Sequence, residues 1–357
     1  MHERESIGRR MAALWLVVAL VSACGATSSG GSTTSTANDE GGGGGGSGSH
    51  VDLSAGACHA DSDCAATATC KEGVCVCTAC SPETLAEVNQ PTGVGLSGDS
   101  VVFIDYEGVH RVPKAGGDVG DLADSHGDSH SFSVGSSFIG WALDDGLRSA
   151  PAAGGAAVPL APDATAVVAS GSDLYYGSSD GTLHRVAAAG GTATTVGTGL
   201  GVVSGLVIDG SDLYLTDVDG GRVLRMPLSG GSPVVLATGQ VNPHGIAVDD
   251  TSVYWTNAGD GSGDEPTGTV MRIPKAGGDV ATLAKDQASP AGIVTDASYV
   301  YWVDVDGLAV YRLPKSAGAR PELINGGEGE GPIGIAVDDE AVYWVDYDTN
   351  EVVRLAK

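Results

Sequence analysis

The chain has 357 residues, in which 45 Asp and Glu residues outnumber 18 Lys and Arg residues and give a formal net charge of −27 at pH 7. So large a negative charge disfavours nucleic acids and anionic lipid headgroups as partners, because these are themselves anionic. Cations, basic proteins and neutral glycans remain as classes of partner.

The first 23 residues have the pattern of a secretory signal peptide. Arg4, Arg9 and Arg10 precede an apolar stretch from Met11 to Leu20, which is too short to span a membrane. The following Val21-Ser-Ala-Cys24 resembles the bacterial lipobox, in which cleavage leaves the cysteine as the lipidated first residue. We therefore predict a lipoprotein signal peptide over residues 1–23, lipidation at Cys24, and a location at the bacterial cell envelope, in the outer membrane or at the cell surface or periplasm.

An ordinary signal peptide with an incidental cysteine is the alternative interpretation. The parity of the cysteines favours the lipid, because the chain has seven cysteines and an even six remain once Cys24 is set aside.

Residues 24–56 consist mostly of Ser, Gly, Thr and Ala, including the run from Gly41 to Gly46. Such a segment cannot bury enough apolar surface to fold. We predict a flexible tether with a root-mean-square reach of roughly 30 Å.

Residues 57–80 are predicted to form a small disulfide knot. Six cysteines fall in this segment: Cys58, Cys64, Cys70, Cys75, Cys77 and Cys80. In an exported chain a dense, even set of cysteines indicates disulfides, because so short a segment has no core of its own. The spacing resembles small EGF-like knots around Cys75-Val-Cys77, and six cysteines allow fifteen pairings. A zinc site and a redox pair at Cys77-Thr-Ala-Cys80 are the alternatives.

Residues 81–357 repeat one strand pattern seven times. An aromatic-rich strand begins at Ser100, Ser137, Asp173, Asp212, Ser252, Tyr299 and Ala341, at steps of 36 to 47 residues. Each copy has an apolar run before it, a third strand with an arginine and a small-residue turn after it, and then a fourth apolar run. β-Branched and aromatic residues between Gly, Pro and Asp indicate short antiparallel strands. Four strands in about 40 residues predict a propeller blade, and the repeat predicts an all-β, seven-bladed β-propeller. Six blades is the alternative, because the second copy is degenerate.

The last copy ends after its third strand, which would leave an unpaired sheet edge. Residues 83–89 resemble the junctions that join other fourth strands to the next blade, such as Ala281–Gly292. We therefore predict that they supply the missing outer strand of the last blade and close the ring.

The quartets Tyr254-Trp-Thr-Asn257, Tyr301-Trp-Val-Asp304 and Tyr343-Trp-Val-Asp346 resemble the YWTD repeats of lipoprotein-receptor propellers. Pro243-His-Gly-Ile-Ala-Val-Asp249 resembles the opening of an NHL repeat. The resemblance covers residues 83–357 and implies a propeller fold. It implies little about function, because these families include receptors, scaffolds and a few enzymes.

Two repeated features invite a functional reading. The third-strand arginines align as Arg111, Arg148, Arg185, Arg225, Arg272, Arg312 and Arg354, and an Asp or Asn ends most second strands. A feature that recurs in every copy indicates a structural ion pair rather than an anion site. The acidic turns between second and third strands suit hairpin geometry, and calcium is the alternative because oxygen ligands suit a hard cation.

The candidate site residues lie in loops expected on one face of the propeller. They are His126, Asp128, His130, His244, Asp260, Asp264 and Glu265. His126, His130 and His244 are also weak candidates for a transition-metal site. The positions aligned with His244 are Thr92, Ser129, Thr165, Ser204, Ala291 and Ile333, which do not form a ligand set.

No nucleophile elbow, phosphate loop or His-Glu-x-x-His motif occurs in the sequence. We therefore expect a non-enzymatic binding or display module with an unknown protein or glycan ligand, no nucleic acid partner, membrane contact through the lipid alone, and no required cofactor. A metal-dependent hydrolase or lyase of lactonase type in the channel is the alternative, and a structural envelope component is a third.

Overall fold

A computed structural model describes residues 58, 60–64, 66, 68–71, 73–261, 266–316, 318–327 and 330–357. Thirty strands and one 3-10 turn, Asp61–Asp63, account for their regular structure. No helix in these ranges is long and apolar enough to cross a membrane. The predicted signal peptide, Cys24 and the tether lie outside the described residues.

Seven four-stranded antiparallel blades form the domain. The first three blades comprise β4 Gly93–Ser97, β5 Ser100–Ile104, β6 Gly108–Pro113 and β7 Gly120–Asp124; β8 Ser131–Val134, β9 Phe138–Leu143, β10 Gly146–Pro151 and β11 Val158–Ala161; and β12 Ala166–Ser170, β13 Asp173–Gly177, β14 Leu183–Ala187 and β15 Thr194–Gly197. The next three comprise β16 Val203–Asp209, β17 Asp212–Asp217, β18 Arg222–Pro227 and β19 Val234–Ala237; β20 Pro243–Val248, β21 Ser252–Asn257, β22 Gly268–Pro274 and β23 Ala281–Gln287; and β24 Pro290–Thr295, β25 Tyr299–Asp304, β26 Ala309–Pro314 and β27 Glu322–Gly326. Blade 7 comprises β28 Pro332–Val337, β29 Ala341–Asp346, β30 Glu351–Ala356 and, from the other end of the domain, β3 Glu83–Glu87.

The first strands of all seven blades contact one another in sequence, and β28 meets β4, so the ring is closed. The seven-bladed prediction is confirmed, and the degenerate second copy is a complete blade. Second strands are almost wholly buried between neighbouring blades, with Trp141, Trp255, Trp302 and Trp344 among their largest fully buried side chains. Aromatic and β-branched side chains thus fill the space between blades, which is why they recur at this strand.

Antiparallel pairing fixes two faces. The turns between second and third strands and the connections between blades lie at one end of every sheet, which we call the loop face. The turns between first and second strands, and between third and fourth strands, lie at the opposite end, which we call the turn face. In the latter, paired glycines such as Gly116 and Gly117 adopt φ values of 79° and 134°, which favour residues without a side chain.

The predicted closure of the ring is confirmed. β3 pairs antiparallel with β30, from Glu83 opposite Arg354 to Glu87 opposite Glu351. Leu85 and Ala86 of β3 are buried in a cluster with Phe103 and Tyr343. The strand ends at Glu87, two residues before the predicted limit.

In blade 2 the structure corrects the alignment by one residue. In other blades the third-strand arginine lies opposite the third residue of the second strand, as Arg111 lies opposite Val102. In blade 2 Ser149 takes that place, opposite Gly140, and Arg148 lies one position earlier. Ser149 is fully buried and its Oγ donates to the Ala188 carbonyl at 2.5 Å. The cause lies at the start of the third strand, which begins with Gly146-Leu147-Arg148. Its arginine therefore comes one residue earlier than the arginine of blade 1.

The aligned third-strand arginines form cross-strand ion pairs, but not with the aspartates that end the second strands. Arg185 pairs with Asp173, Arg312 with Glu322 and Arg354 with Glu83. The aspartates that end second strands accept backbone N–H groups instead, and one of them, Asp217, also pairs with an arginine, Arg222, at the start of the third strand. Asp304, for example, accepts from Ala288, Ser289 and Gly307 at 2.7 to 3.1 Å. These carboxylates accept backbone N–H groups and so hold the turn between the second and third strands in place. They are therefore not the partners of the aligned arginines.

Inter-blade ion pairs do occur on the turn face. A lysine after the third strand of one blade reaches an aspartate at the end of the first strand of the preceding blade, or just after it. The pairs are Lys114 with Asp338, Lys275 with Asp209, Lys315 with Asp249 and Lys357 with Asp296. Burial raises the pKa of Asp249, but the lysine, backbone N–H groups and Tyr254 hydroxyl outweigh it and hold that pKa well below its usual range. These pairs tie blades 4 to 7 and blade 1 into one sector of the ring.

The buried tryptophans also link neighbouring blades. The indole N–H of Trp302 in blade 6 donates to Gln287 Oε1, at the exit of blade 5, at 2.9 Å. Trp255 donates to Gln240 Oε1, at the exit of blade 4, at the same distance. At the equivalent exit of blade 7, Val88 packs against the cluster that contains Phe103. The ring of Phe103 has no N–H group, so it needs no hydrogen-bond acceptor there.

Gln287→Leu should therefore lower the free energy of unfolding by about 2 kcal/mol, because the buried Trp302 N–H loses its acceptor. Val88→Leu, at the equivalent exit, should change it by less than about 0.5 kcal/mol. Urea unfolding of the three proteins tests this pair. Equal losses in both variants would contradict the role of the Trp302 hydrogen bond.

The cysteine-rich segment is a hairpin attached to blade 6. β1 Ala68–Lys71 and β2 Val74–Cys77 pair antiparallel, and β2 adds to β27 in parallel, with Cys75 opposite Glu322 and Val76 opposite Leu323. Of the fifteen possible pairings the structure has Cys58–Cys70, Cys64–Cys75 and Cys77–Cys80. All six thiols are thus used in disulfides, and the zinc alternative would need them free.

Candidate functional site

The loop face is strongly acidic. Its exposed carboxylates belong to Glu107, Asp124, Asp128, Asp144, Asp145, Asp180, Asp219, Asp260, Asp306 and Asp348. Three basic residues near this face already pair with acids: Arg148 with Asp145 at 2.5 Å, Arg222 with Asp217 at 2.5 Å and Lys285 with Asp286 at 3.8 Å. The face also exposes two larger apolar side chains, Tyr106 at 50% and Val241 at 48%. It can therefore offer both negative charge and some apolar contact.

The connection between blades 1 and 2 carries three of the predicted site residues. His126 and Asp128 are exposed, and the loop is held by the buried Ser125, whose Oγ accepts from the Trp141 indole at 3.0 Å. His130 Nε2 lies 2.8 Å from the Ala164 carbonyl oxygen, and Nδ1 lies 3.9 Å from Asp144 Oδ1. His130 is thus engaged with the neighbouring loops, while His126 and Asp128 face solvent.

His244 lies near the start of the innermost strand β20. Its carbonyl oxygen accepts from Thr216 Oγ1 at 2.6 Å, and burial lowers the pKa of its imidazole, which favours the neutral form. The corrected register of blade 2 makes His130, not Ser129, the equivalent of His244, since the His130 N–H donates to Ala142. Two histidines therefore occupy this ring of positions, in blades 2 and 5.

The blade 5 insertion is tied at its base. Thr267 Oγ1 donates to Asp260 Oδ1 at 2.9 Å and accepts from the Asp260 N–H at 3.1 Å. The Asn242 side-chain amide donates to the Gly259 carbonyl. Asp264 and Glu265 lie outside the described residues.

The weak metal candidates are not gathered into one cluster. Within the described ranges, the group of His, Cys, Asp or Glu close enough to hold an ion is Cys58, Cys64 and Cys75, and these sulfurs are in disulfides. His130 has its Nε2 against a carbonyl, and His126 lies in an exposed loop.

A carboxyl pair that the sequence pattern did not reveal lies in blade 7. Burial and the neighbouring Asp346 carboxylate raise the pKa of Glu330, while Asn325 Nδ2 donates to it at 2.9 Å. Asp346 is fully buried and accepts the Gly331 and Thr349 N–H groups at 2.9 Å. Glu330 therefore keeps its proton to a higher pH than an ordinary glutamate does.

His110 was also missed. Its Nε2 lies 3.0 Å from Asp105 Oδ1 and its Nδ1 lies 2.9 Å from Asp121 Oδ1, and its ring stacks on Phe103 with centroids 5.3 Å apart. Burial lowers the pKa of His110, but the hydrogen bonds and charges of Asp105 and Asp121 outweigh it, so the pKa is raised overall. Burial raises the pKa of Asp105, which His110 and two backbone N–H groups lower overall.

These shifts make a pH-dependent contribution to stability. A raised His110 pKa stabilises the fold fully below the unfolded value of about 6.5, and this contribution is lost as the pH rises through the folded pKa. A lowered Asp105 pKa stabilises the fold above about 3.9, and this is lost in acid. His110→Gln should therefore cost about 2 kcal/mol near pH 6 and progressively less in alkaline buffer, as measured by urea unfolding.

His184 provides the matched control, because it holds the same strand position and its ring nitrogens face hydroxyls of Thr182 and Thr195 rather than carboxylates. His184→Gln should lack the part of the pH dependence that comes from a carboxylate pair. A pH-independent cost in His110→Gln would contradict the assignment.

The channel between the first strands is apolar. A cavity of about 340 Å³ is lined by Leu96, Val207, Ile246, Ala247, Val248, Ile293, Val294, Thr295, Ile335, Ala336 and Val337. These residues supply no acid or base to this cavity.

No family model matches the sequence, and no curated protein matches it significantly. Solved structures do match. A streptogramin B lyase has a TM-score of 0.62 at 15% identity, with 77% of this chain and 97% of the lyase covered. The WD40 propeller domain of Doa1 has a TM-score of 0.60 at 12% identity, with 78% and 97% covered. A computationally designed protein, Ika8, has a TM-score of 0.56 at 13% identity, with 77% and 100% covered.

These proteins include a lyase, a WD40 domain and a designed protein, so their shared feature is the architecture. At these identities the likeness concerns the fold alone. Together with the closed ring of seven blades, it shows that the chain is an all-β protein whose main domain is a β-propeller.

Proposed function

We propose that this protein is an envelope-anchored, non-enzymatic binding module that captures its partner on the loop face. The excess of exposed carboxylates on that face carries the proposal. Ten exposed acids project there, whereas the turn face mixes acids such as Asp99 and Asp250 with the lysines that tie the blades together. A rigid ring is well suited to hold many loops in one fixed arrangement.

The charge favours a basic protein over a neutral glycan as the partner. A surface of one sign attracts an oppositely charged surface and speeds the encounter, and added salt weakens that attraction. Tyr106 and Val241 offer apolar contact area within the same face.

The anchor is the second part of the proposal. The lipobox resemblance at Val21–Cys24 and the Ser/Gly tether support it, and the three disulfides suit an oxidising compartment outside the cytoplasm. Cys24→Ser should move the protein from the membrane fraction to the soluble fraction and abolish incorporation of labelled fatty acid. A wild type that takes up no label while the variant stays in the membrane would refute the anchor.

The loop face is tested with defined probes. Poly-L-lysine, poly-L-glutamate and neutral dextran are immobilised, and binding of the purified protein is measured at low and high salt. We expect binding to poly-L-lysine alone, weakened by salt and unchanged by a chelator, because no metal is needed. Dextran binding instead would favour a glycan ligand and overturn the basic partner.

A triple variant locates the surface. Asp128→Asn, Asp144→Asn and Asp219→Asn remove three charges from the loop face, and Asp99→Asn, Asp250→Asn and Asp339→Asn remove three exposed charges from the turn face. The first set should reduce affinity for poly-L-lysine by at least about tenfold, and the second by no more than about threefold. Equal losses would mean that net charge, and not the loop face, governs binding.

A further inference from the structure

The disulfide between Cys77 and Cys80 differs from the other two in its setting. Its cysteines are three positions apart, against 12 and 11 in the other two pairs. Both cysteines are partly exposed, and Thr78 and Ala79 between them are exposed. In contrast, Cys58 and Cys75, one from each remaining disulfide, are each only 2% exposed.

Loop size makes this the disulfide whose reduction costs the fold least. A disulfide stabilises the folded state partly by shortening the free loop of the unfolded chain, and this effect grows as the three-halves power of loop length. Closing a loop of about four residues therefore raises the folding equilibrium constant by a factor roughly fivefold smaller than closing a loop of about twelve.

One sulfur of this pair also has a cationic neighbour. Arg312 Nη2 lies 3.7 Å from Cys77 Sγ, while Arg312 Nε lies 2.8 Å from Glu322 Oε2. The Arg312 side chain is 13% exposed and that of Glu322 is 1% exposed, so the guanidinium is held in place by a buried carboxylate. A guanidinium next to a sulfur favours the thiolate over the thiol. Cys77 is thus the better leaving group of the two.

We propose that Cys77 and Cys80 form a thiol-disulfide exchange site that oxidises a dithiol of a partner protein or peptide, with Arg312 stabilising the Cys77 thiolate. The site lies where the cysteine-rich hairpin joins blade 6, and it is separate from the loop face. The tests of this site are therefore independent of the proposed binding function.

The reaction is a balanced two-electron exchange. A substrate thiolate attacks Cys80 Sγ, the Cys77–Cys80 bond breaks, and Cys77 leaves as a thiolate that accepts a hydrogen bond from Arg312. The second substrate thiol loses its proton and attacks the sulfur that is bound to Cys80. The substrate then holds a new disulfide, Cys77 and Cys80 are reduced, and the two protons of the substrate thiols end on the two cysteines or in solvent.

The first measurement is selective reduction. The folded protein is incubated with a series of dithiothreitol concentrations, the thiols are blocked with N-ethylmaleimide, and each cysteine is quantified by peptide mass spectrometry. We expect Cys77 and Cys80 to be labelled at a reductant concentration at least fivefold lower than the other four, with the circular dichroism spectrum unchanged. Labelling of all six together, or of this pair last, would overturn the proposal.

The second measurement isolates Arg312. Removing Arg312 alone would leave Glu322 unpaired, so the double variant Arg312→Gln with Glu322→Gln keeps the pair neutral. In the reduced wild type, the rate of Cys77 alkylation should rise with pH around an apparent pKa below the free thiol value of about 8.5, and that pKa should rise in the double variant. Reduction of the Cys77–Cys80 bond should slow by roughly fivefold in the double variant. Arg111→Gln is the matched control, and an unchanged pH profile in the double variant would refute the role of Arg312.

The third measurement tests turnover of a substrate. A reduced Cys-Gly-Gly-Cys peptide is mixed with the oxidised protein under anaerobic conditions, and the peptide disulfide and the Cys77 and Cys80 thiols are quantified together. One peptide disulfide should form for each pair of thiols released, and Cys80→Ser should form none. Peptide oxidation that persists in Cys80→Ser would overturn the proposal.

Discussion

A chain that begins at Pro91 should fail to form a stable propeller, whereas a chain that begins at Ser81 should fold. The difference between the two is β3, which pairs with β30 from Glu351 to Arg354 and buries Leu85 and Ala86. Without it, blade 7 has three strands, and the N–H and C=O groups of the outer edge of β30 lose their partners. We expect the shorter chain to lose at least about 3 kcal/mol of stability, from two buried side chains and several backbone hydrogen bonds.

The shorter chain should also aggregate, because an unpaired edge strand can pair with another molecule. The chain from Ser81 lacks the hairpin of β1 and β2, which meets blade 6 over two register pairs only, and should keep a cooperative transition. Urea unfolding and light scattering of the two chains provide the measurement. Equal unfolding midpoints would show that β3 is not needed for closure.

The number of blades and the closure could be predicted because both follow from a repeated local pattern. Tyr, Trp and Val at alternating positions of the second strand, followed by an Asp turn, are enough to identify each blade. The junction before Pro91 has the same pattern as those before Pro243 and Pro290, which placed β3 in the last blade.

Blade 2 shows where the pattern loses its precision. It lacks the Asp or Asn that ends most other second strands, since Leu143 occupies that place, and the sequence alignment begins its second strand at Ser137, whereas β9 begins at Phe138. A one-residue slip reverses which side a strand residue faces. Because of this slip, the alignment places Ser129 in the ring of positions that includes His244, where the structure has His130. It likewise places Arg148 where the structure has the buried Ser149.

The disulfide pairing and the polar clusters could not be predicted from spacing. Cys64 follows the 3-10 turn Asp61–Asp63 and bonds to Cys75 of β2, and spacing alone left this pairing equivalent to the other possibilities among fifteen. His110 meets Asp121 across neighbouring strands and Asp105 across a turn, and these contacts depend on the pairing of β6 with β7 and on the hairpin that joins β5 to β6. The loops of the candidate site could be predicted from the sequence, but the side-chain contacts depend on the strand register.

Arg312→Met should be among the most destabilising single substitutions in the molecule. Arg312 neutralises Glu322, whose side chain is 1% exposed and whose Oε2 lies 2.8 Å from Arg312 Nε. Removing the arginine leaves a buried carboxylate without its counter-charge, which costs about 3–5 kcal/mol. The loss should shrink as the pH falls towards the ionisation range of Glu322, because an unpaired buried carboxylate has a raised pKa and becomes neutral sooner.

The double variant Arg312→Met with Glu322→Met separates the charge from the packing. An apolar pair of similar volume should recover most of the stability, since replacing both members of a buried ion pair is often neutral. Arg111→Met is the control: it holds the same strand position, is exposed, and should change stability by less than about 0.5 kcal/mol. Unfolding free energies of the four proteins at pH 5 and pH 8 give the measurement. A double variant as unstable as Arg312→Met would show that the packing of the arginine side chain, and not the neutralisation of Glu322, holds this part of blade 6 together.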